Sequence, residues 1–328
     1  MTKHRPSARR WVASALVAVA VAGGLVAVPA AGAEAATVTV HTSAQLASAL
    51  KHVRPGGTIR LAPGTYHGRF TASVNGTAAH PITLTGPRSA ALTTDSYKKG
   101  YGLHVTGDWW RISGLSVRKA AKGIVLDGSS HTRISGVSVS WIGDEGIHVR
   151  HSSAFVTVTR TTVSHTGVRK PQFGEGIYVG SAESNWRRIM GSSSRPDRSD
   201  HVTLSYNTIS FTQAEGIDIK EGTTGGRVLS NRFHSAGTSG KNSADSWIDI
   251  KGNRYTVRGN AGSSARLDAI QVHVVRPGWG RGNVIAGGAV ISGVRGYEVW
   301  VQKGATGTRV LCSSSRAHHG LTNIRCTR

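Results

Sequence analysis

Short alternating stretches recur along the chain. Lys122-Gly-Ile-Val-Leu-Asp127, Glu145-Gly-Ile-His-Val-Arg150, Glu175-Gly-Ile-Tyr-Val-Gly180 and Glu215-Gly-Ile-Asp-Ile-Lys220 share one pattern, with the third and fifth residues apolar and the fourth and sixth mostly polar. Looser copies follow at Ser246-Trp-Ile-Asp-Ile-Lys251, Asp268-Ala-Ile-Gln-Val-His273 and Arg295-Gly-Tyr-Glu-Val-Trp300. A period of two buries one face of each string and wets the other. The strings start 22 to 40 residues apart; the shortest intervals define one coil, and the longer ones carry loops. A second strand series runs between them at Val156-Thr-Val158, Val202-Thr-Leu204, Val228-Leu229, Tyr255-Thr-Val257 and Asn283-Val-Ile285. Asn207, Asn231, Asn260 and Asn283 recur beside these strands as turn residues whose amides bond their equivalents on neighbouring coils. Such a repeat, with Gly-rich turns and almost no helical periodicity, predicts an all-β fold, a single-stranded right-handed parallel β-helix. Its first coil needs a cover, and residues 42–53 supply one: an amphipathic helix with Thr42 and Gln45 in capping-box spacing and Leu46, Leu50 and Val53 on one face.

The amino terminus reads as an address. Lys3, Arg5, Arg9 and Arg10 precede an apolar run from Trp11 to Val28, Pro29 breaks it, and small residues follow at 31–33 and 35–36. We therefore expect residues 1–36 to be a cleaved signal peptide and residues 37–328 to be one secreted, extracellular β-helix domain. No second long apolar stretch follows, so no membrane association is expected after cleavage. The only cysteines, Cys312 and Cys326, are close together in an exported chain and are expected to form a disulfide closing the end of the fold. With 40 Lys+Arg against 17 Asp+Glu the net charge is +23. Such a field attracts polyanions, and in an exported protein an acidic polysaccharide is the expected partner rather than nucleic acid. A solenoid of this kind is expected to act as a monomer.

Stacking the strings places equivalent residues about 4.8 Å apart on one wall. The first column is then Glu145, Glu175, Glu215, Ser246, Asp268; the fourth is His148, Tyr178, Asp218, Asp249, Gln271; the sixth is Arg150, Gly180, Lys220, Lys251, His273. Stacked glutamates repel one another unless a cation or basic side chains compensate. Glu175, Glu215 and Asp218 are accordingly a candidate Ca2+ site. His148, Tyr178, Asp249, Gln271 and Trp247 are candidate substrate-binding residues. Two inserted loops, at residues 166–173 and 181–199, are expected as rims, and Trp186 offers a further flat surface for a sugar.

From the capping helix through Gly57-Thr-Ile-Arg-Leu-Ala-Pro-Gly-Thr-Tyr66 and His80-Pro-Ile-Thr-Leu-Thr85 to the late coils, the mature chain resembles the pectate-lyase-like β-helix superfamily. Within it, Ala214-Glu-Gly-Ile-Asp-Ile-Lys-Glu221 followed by Asn231-Arg-Phe233 is similar to the chondroitinase-B and alginate-lyase family. The resemblance implies a Ca2+-binding glutamate at Glu215 and a catalytic lysine at Lys220. It departs where that family has a second acidic ligand, here Gln213, and an arginine on the next coil, here Ile250 or Lys251. The implied activity is a polysaccharide lyase that degrades a uronic-acid polymer by β-elimination. Lys220, its pKa lowered by Lys251 or by desolvation, would take the C5 proton, a cation or Arg150 would neutralise the uronate carboxylate, and His273, Tyr178 or Arg150 would serve the departing O4. Two other readings use the same wall: a polygalacturonase-like hydrolase with Asp218 and Asp249 or Asp245 as acid and base, and a non-catalytic module that binds acidic glycan or cell wall.

Overall fold

The computed structural model describes residues 1–2, 36–240, 244–286 and 288–328. The expected signal peptide lies almost wholly outside the described residues. The described residues from 36 to 328 form one compact unit, and no helix among the described residues is long and apolar enough to cross a membrane.

Among the described residues the strands pair in parallel, each with its equivalent one coil on, in three sheets of eleven, nine and nine strands. The result is the parallel β-helix that the strings predict. The strings form one nine-stranded wall, from Phe70–Ala72 to Val299–Val301. The second series belongs to the eleven-stranded wall, from Thr37–Val40 to Arg309–Leu311. A third wall, from Gly64–His67 to Ala289–Val294, completes each coil.

Register on the string wall is continuous. Leu103, Ile124, Ile147, Ile177, Ile217, Ile248, Ile270 and Val299 pair in succession and are all buried. The last string is displaced by two residues from the sequence expectation: Val299, not Tyr297, pairs with Ile270, so Trp300 takes the fourth position beside Gln271. A shift of two leaves every side chain on its own face, which is why the alternation did not reveal it. An earlier string, Tyr101–Val105, also belongs to the wall, with His104 in the fourth column.

The helix Ser43–His52 caps the first coil as expected, with Thr42 and Gln45 forming a capping box and Leu46 and Leu50 buried. Cys312 and Cys326 form the expected disulfide. The asparagine ladder is shorter than expected. Asn207 donates to Asn231 and Asn231 to Asn260, each at 2.9 Å. Asn283 is not the next rung: it lies ahead of its strand, accepts from the Tyr255 amide and donates to the Gly252 carbonyl. Gly288 occupies the next place, where a Cβ would stand 1.4 Å from the Asn260 carbonyl oxygen.

Because Ile217 sits in the middle of the buried column, Ile217→Ala should cost about 3 kcal/mol through lost burial and a cavity. This corresponds to a fall in melting temperature of roughly 6 to 12 °C. The outward Arg227→Ala should stay within about 0.5 kcal/mol. Thermal melts of the two variants check the register, and equal effects would contradict it.

Candidate active site

The outward face of the string wall brings together most of the residues expected to carry chemistry. Asp218 is its centre. Its carboxylate accepts from Lys220 at 2.6 Å on one oxygen and from Lys251 at 2.8 Å on the other, while Lys251 also pairs with Asp249 at 2.5 Å. His273 pairs with Asp249 at 2.7 Å. Tyr178, one strand before Asp218, presents its ring to Lys220, with Nζ 5.1 Å from the centroid. The His148 ring meets Tyr178 edge-on at 4.3 Å, and its Nε2 lies 2.9 Å from the Gly180 carbonyl.

Three expectations are corrected here. The first concerns Lys220 and Lys251, whose ammonium groups were expected to depress one another. Burial does pull both down, but Asp218 between them, with Glu215 nearby, outweighs it and holds both above the usual lysine range. The second is Trp247, expected on the wall but buried in the core, stacked parallel on Phe233. The second string position turns inward at the corner. On earlier coils it is glycine, because a Cβ at Gly216 would meet the Phe233 ring at 2.7 Å; Trp247 has room because Gly262 faces it. Trp186 is buried likewise, its Nε1 donating to the Ser181 carbonyl. The third is Arg150, whose guanidinium is held by Asp127 at 2.6 and 3.0 Å and by the Tyr101 hydroxyl at 3.1 Å. It is not free to meet a substrate carboxylate.

Gln271 is braced, its amide donating to Asp245 and Asp268 at 2.9 Å each. With His273, Tyr297, Trp300 and His319 these residues line a cavity of about 330 Å³ at the far end of the wall. Sequence reasoning missed Tyr101 and His104 as wall residues, although Tyr101-Gly-Leu-His-Val105 carries the string pattern; it left Asp127, the end of the first string, out of the sixth column, and it put Trp300 in the sixth position rather than the fourth. The rims form as follows. The loop after Gly180 contains the helix Glu183–Met190, and Asp197 pins its return by accepting from the His151 and Ser152 amides. A loop from residue 274 to 281 meets it, Arg276 pairing with Glu183 and lying over the Trp186 ring. At the other rim Arg169 grips Asp144 through both carboxylate oxygens.

The acidic column carries the strongest electrostatic strain. Burial works to raise Glu145, but His148 and its Lys122 partner outweigh it and hold the carboxyl low. Glu175 has no such partner: burial, with Glu145 and Asp218 nearby, pushes it up to about 8, and its Oε2 is buried without a hydrogen bond among the described residues. Burial and Asp218 raise Glu215 as well. One carboxylate oxygen from each of Glu175, Glu215 and Asp218 lies within 4.8 Å of the others. Five carboxylates, those of Glu145, Glu175, Glu215, Asp218 and Asp249, face three ammonium groups, those of Lys122, Lys220 and Lys251. The excess suits a divalent cation with oxygen ligands, or two protons. The orphaned Glu175 oxygen therefore fits the expected Ca2+ site.

The chain matches the family described as right handed beta helix region over residues 101–262. Among solved structures it is similar to an alginate lyase from Paenibacillus sp. str. FPU-7, with 37% identity and a TM-score of 0.82 over 89% of this chain and 99% of that one. A pectate lyase shares 14% identity at a TM-score of 0.61, over 90% of this chain and 80% of that one. A surface adhesin of Streptococcus pneumoniae shares 10% at 0.58, over 82% and 72%. The last two likenesses concern the fold alone. No curated protein matches the chain.

Glu175 makes stability depend on pH. The unfolded chain releases this proton near 4.5 and the folded chain near 8, so the folded state binds more protons between those values and stability falls as pH rises through them. Above about 8 the contribution levels off. Glu175→Gln should flatten that limb, and added Ca2+ should raise the melting temperature more at pH 8 than at pH 5. Melts across this range, with Ca2+ or chelator, check both.

Proposed function

We propose that this chain, which belongs to the family of right-handed β-helix, polysaccharide-lyase-like proteins that includes the Paenibacillus alginate lyase, is a secreted lyase cleaving a uronic-acid polysaccharide by β-elimination. The observation that carries the reading is the convergence of Lys220 and Lys251 on Asp218, with Tyr178 against Lys220. The likeness to an alginate lyase at 37% identity supports a uronate at the cleavage point. Alginate is therefore the first polymer to test.

β-Elimination needs three things: an offset for the uronate carboxylate, a base for the C5 proton and an acid for the departing O4. Lys251, already shared between Asp218 and Asp249, supplies fixed positive charge beside the reacting unit. Lys220 takes the C5 proton. Its high proton affinity at rest follows from Asp218, Glu215 and Glu175, so the same carboxylates that hold its charge must be compensated before it can act. Ca2+ held by Glu175, Glu215 and Asp218 would supply positive charge that offsets the substrate carboxylate and lowers the proton affinity of Lys220. Tyr178 gives its proton to O4. Burial and the neighbouring carboxylates keep that phenol protonated, which suits an acid. Arg150 is committed to Asp127, and His273, two strands from Lys220, is committed to Asp249; neither is as well placed.

The hydrolase reading is weaker on the same geometry. A general acid must carry a proton at working pH. Burial acts to raise Asp249, but Lys251 and His273 hold it below the usual carboxylate range; Asp245 is raised by burial, but it accepts from the Gln271 amide and lies at the cavity beyond the lysines rather than beside Asp218.

The purified protein incubated with alginate should release unsaturated sugars that absorb in the near ultraviolet. New reducing ends without that absorbance would indicate hydrolysis, and no product with salt-sensitive binding would indicate a binding module. Lys220→Ala should lower kcat by about a thousandfold, with binding and fold intact, since the base acts chiefly in the transition state. Lys251→Ala should cost about tenfold and move the pH optimum alkaline, because a positive neighbour of Lys220 is lost. A fully active Lys220→Ala variant would remove the lysine from the base role.

A further inference from the structure

Where the string wall turns into the eleven-stranded wall, one residue per coil stands at the corner in a left-handed backbone conformation. Trp109, His131, Phe155 and His201 hold φ between 56° and 59°. Their rings stack in an outward column, with centroids 4.1, 4.9 and 4.9 Å apart and planes within 11°. The amide of each corner residue bonds the carbonyl just before its equivalent on the next coil. The same bonds carry the column on through Gly225, Arg254, Gly282 and Gly307. The rings therefore stop at His201, which covers Gly225; a Cβ there would lie 2.9 Å from the imidazole.

Past that point the corner is hollow. A cavity of about 410 Å³ is lined by Asn253, Arg254, Gly278, Arg281, Gly282, Thr306 and Gly307. Its lining includes two arginines and no aspartate or glutamate. Arg254 and Arg281 are set side by side by the bond from the Arg254 amide to the Arg281 carbonyl at 2.9 Å. Asn253 fixes the second arginine, accepting from the Arg281 amide and donating to the Gly278 carbonyl. The arginines paired with carboxylates among the described residues are Arg150, Arg169, Arg198 and Arg276. Arg254 and Arg281 are outside that set. Glycines on the lining let a ligand approach the backbone where side chains would otherwise stand.

The cavity adjoins the proposed active site through covalent and hydrogen-bonded neighbours. Asn253 and Arg254 follow Lys251 on the same coil, and the Gly280 amide donates to the Lys251 carbonyl at 2.9 Å. One loop thus carries both Arg276, at the rim over the string wall, and Arg281, in the cavity.

We infer that this corner cavity is a second, non-catalytic subsite that grips a uronate carboxylate of the polymer beyond the units bound on the string wall. Two arginines brought together from adjacent coils suit a planar carboxylate. The site extends the lyase reading and rests on it for its kinetic consequence; binding at the cavity does not require turnover.

The test compares the native protein with an Arg254→Gln, Arg281→Gln double variant, which removes charge while keeping side-chain size, and a double lysine variant that restores it. On polymeric alginate the glutamine variant should show KM raised about tenfold, kcat unchanged and a shallower dependence on salt. On a uronate trisaccharide, which offers fewer units beyond the cleavage point than the polymer does, the rise in KM should be much smaller. The lysine pair should recover part of the polymer KM. An unchanged polymer KM, or an equal effect on trisaccharide and polymer, would overturn the inference. Calorimetric titration of alginate into Lys220→Ala, with and without the glutamine pair, reads the cavity apart from catalysis. Tenfold weaker polymer binding would support the subsite even if no substrate is cleaved, and equal binding would overturn it.

Discussion

In-register parallel stacking is the constraint on which this molecule depends. Each coil hydrogen-bonds to the next at about 4.8 Å, so a side chain meets its own equivalent above and below rather than a complementary partner chosen from elsewhere. For apolar residues this is ideal, and the isoleucine column from Ile124 to Ile270 fills the interior with like shapes. It also suits amides, which both donate and accept, as in Asn207, Asn231 and Asn260. Flat rings stack equally well, as at Trp109, His131 and Phe155. For carboxylates it is unfavourable, because nothing in the column itself offsets the charge.

The string wall shows how the fold manages that conflict. Glu145 is neutralised from the preceding coil by Lys122, with the His148 ring 3.5 Å away on its own coil. Asp218 is satisfied from two directions, by the lysine on its own coil and by that on the next. Asp127 and Arg150 settle each other in the same way. Partners therefore come mainly from the neighbouring coil, either in the same column, as Lys122 with Glu145 and Arg150 with Asp127, or from the sixth column to the fourth, as Lys251 with Asp218, so the wall is a lattice in which each ion pair restricts the next. Glu175 and Glu215 are left over, buried and without enough positive charge, and their raised proton affinities are the consequence.

Much of this was legible in the sequence, for a reason specific to solenoids: repetition turns sequence position into spatial column. The buried isoleucines, the ordering of Glu145, Glu175 and Glu215, the adjacency of Lys220 and Lys251, the capping helix and the disulfide all follow from spacing. The third wall was not legible. Strands such as Ala261–Ala265 are short and built from small residues, and Ser138–Ile142 is interrupted by Trp141 in a left-handed conformation, which breaks simple alternation. Trp247 was misplaced because a corner position has no face until the coil is closed. The lysine proton affinities were misjudged because spacing shows that two ammonium groups are neighbours but not that Asp218 lies between them. Trp300 was set in the wrong column because a displacement of two is invisible to a period of two.

The leftover acids are the part of the wall that stability alone does not explain. At the position after Glu175 and Glu215 the next coil carries Ser246, so the column accepts a small neutral residue without loss of pairing. A glutamate at Glu175 is therefore not demanded by the fold; it is buried, opposed by its neighbours, and has an oxygen with no hydrogen-bond partner among the described residues. Placing such a group beside Asp218 raises the proton affinity of Lys220 in the same stroke. Neutralising the carboxylates from outside relieves both penalties together, steadying the column and freeing the lysine to exchange a proton. The strain of the resting wall and the high proton affinity of Lys220 are thus two readings of a single charge imbalance, which a bound cation would correct.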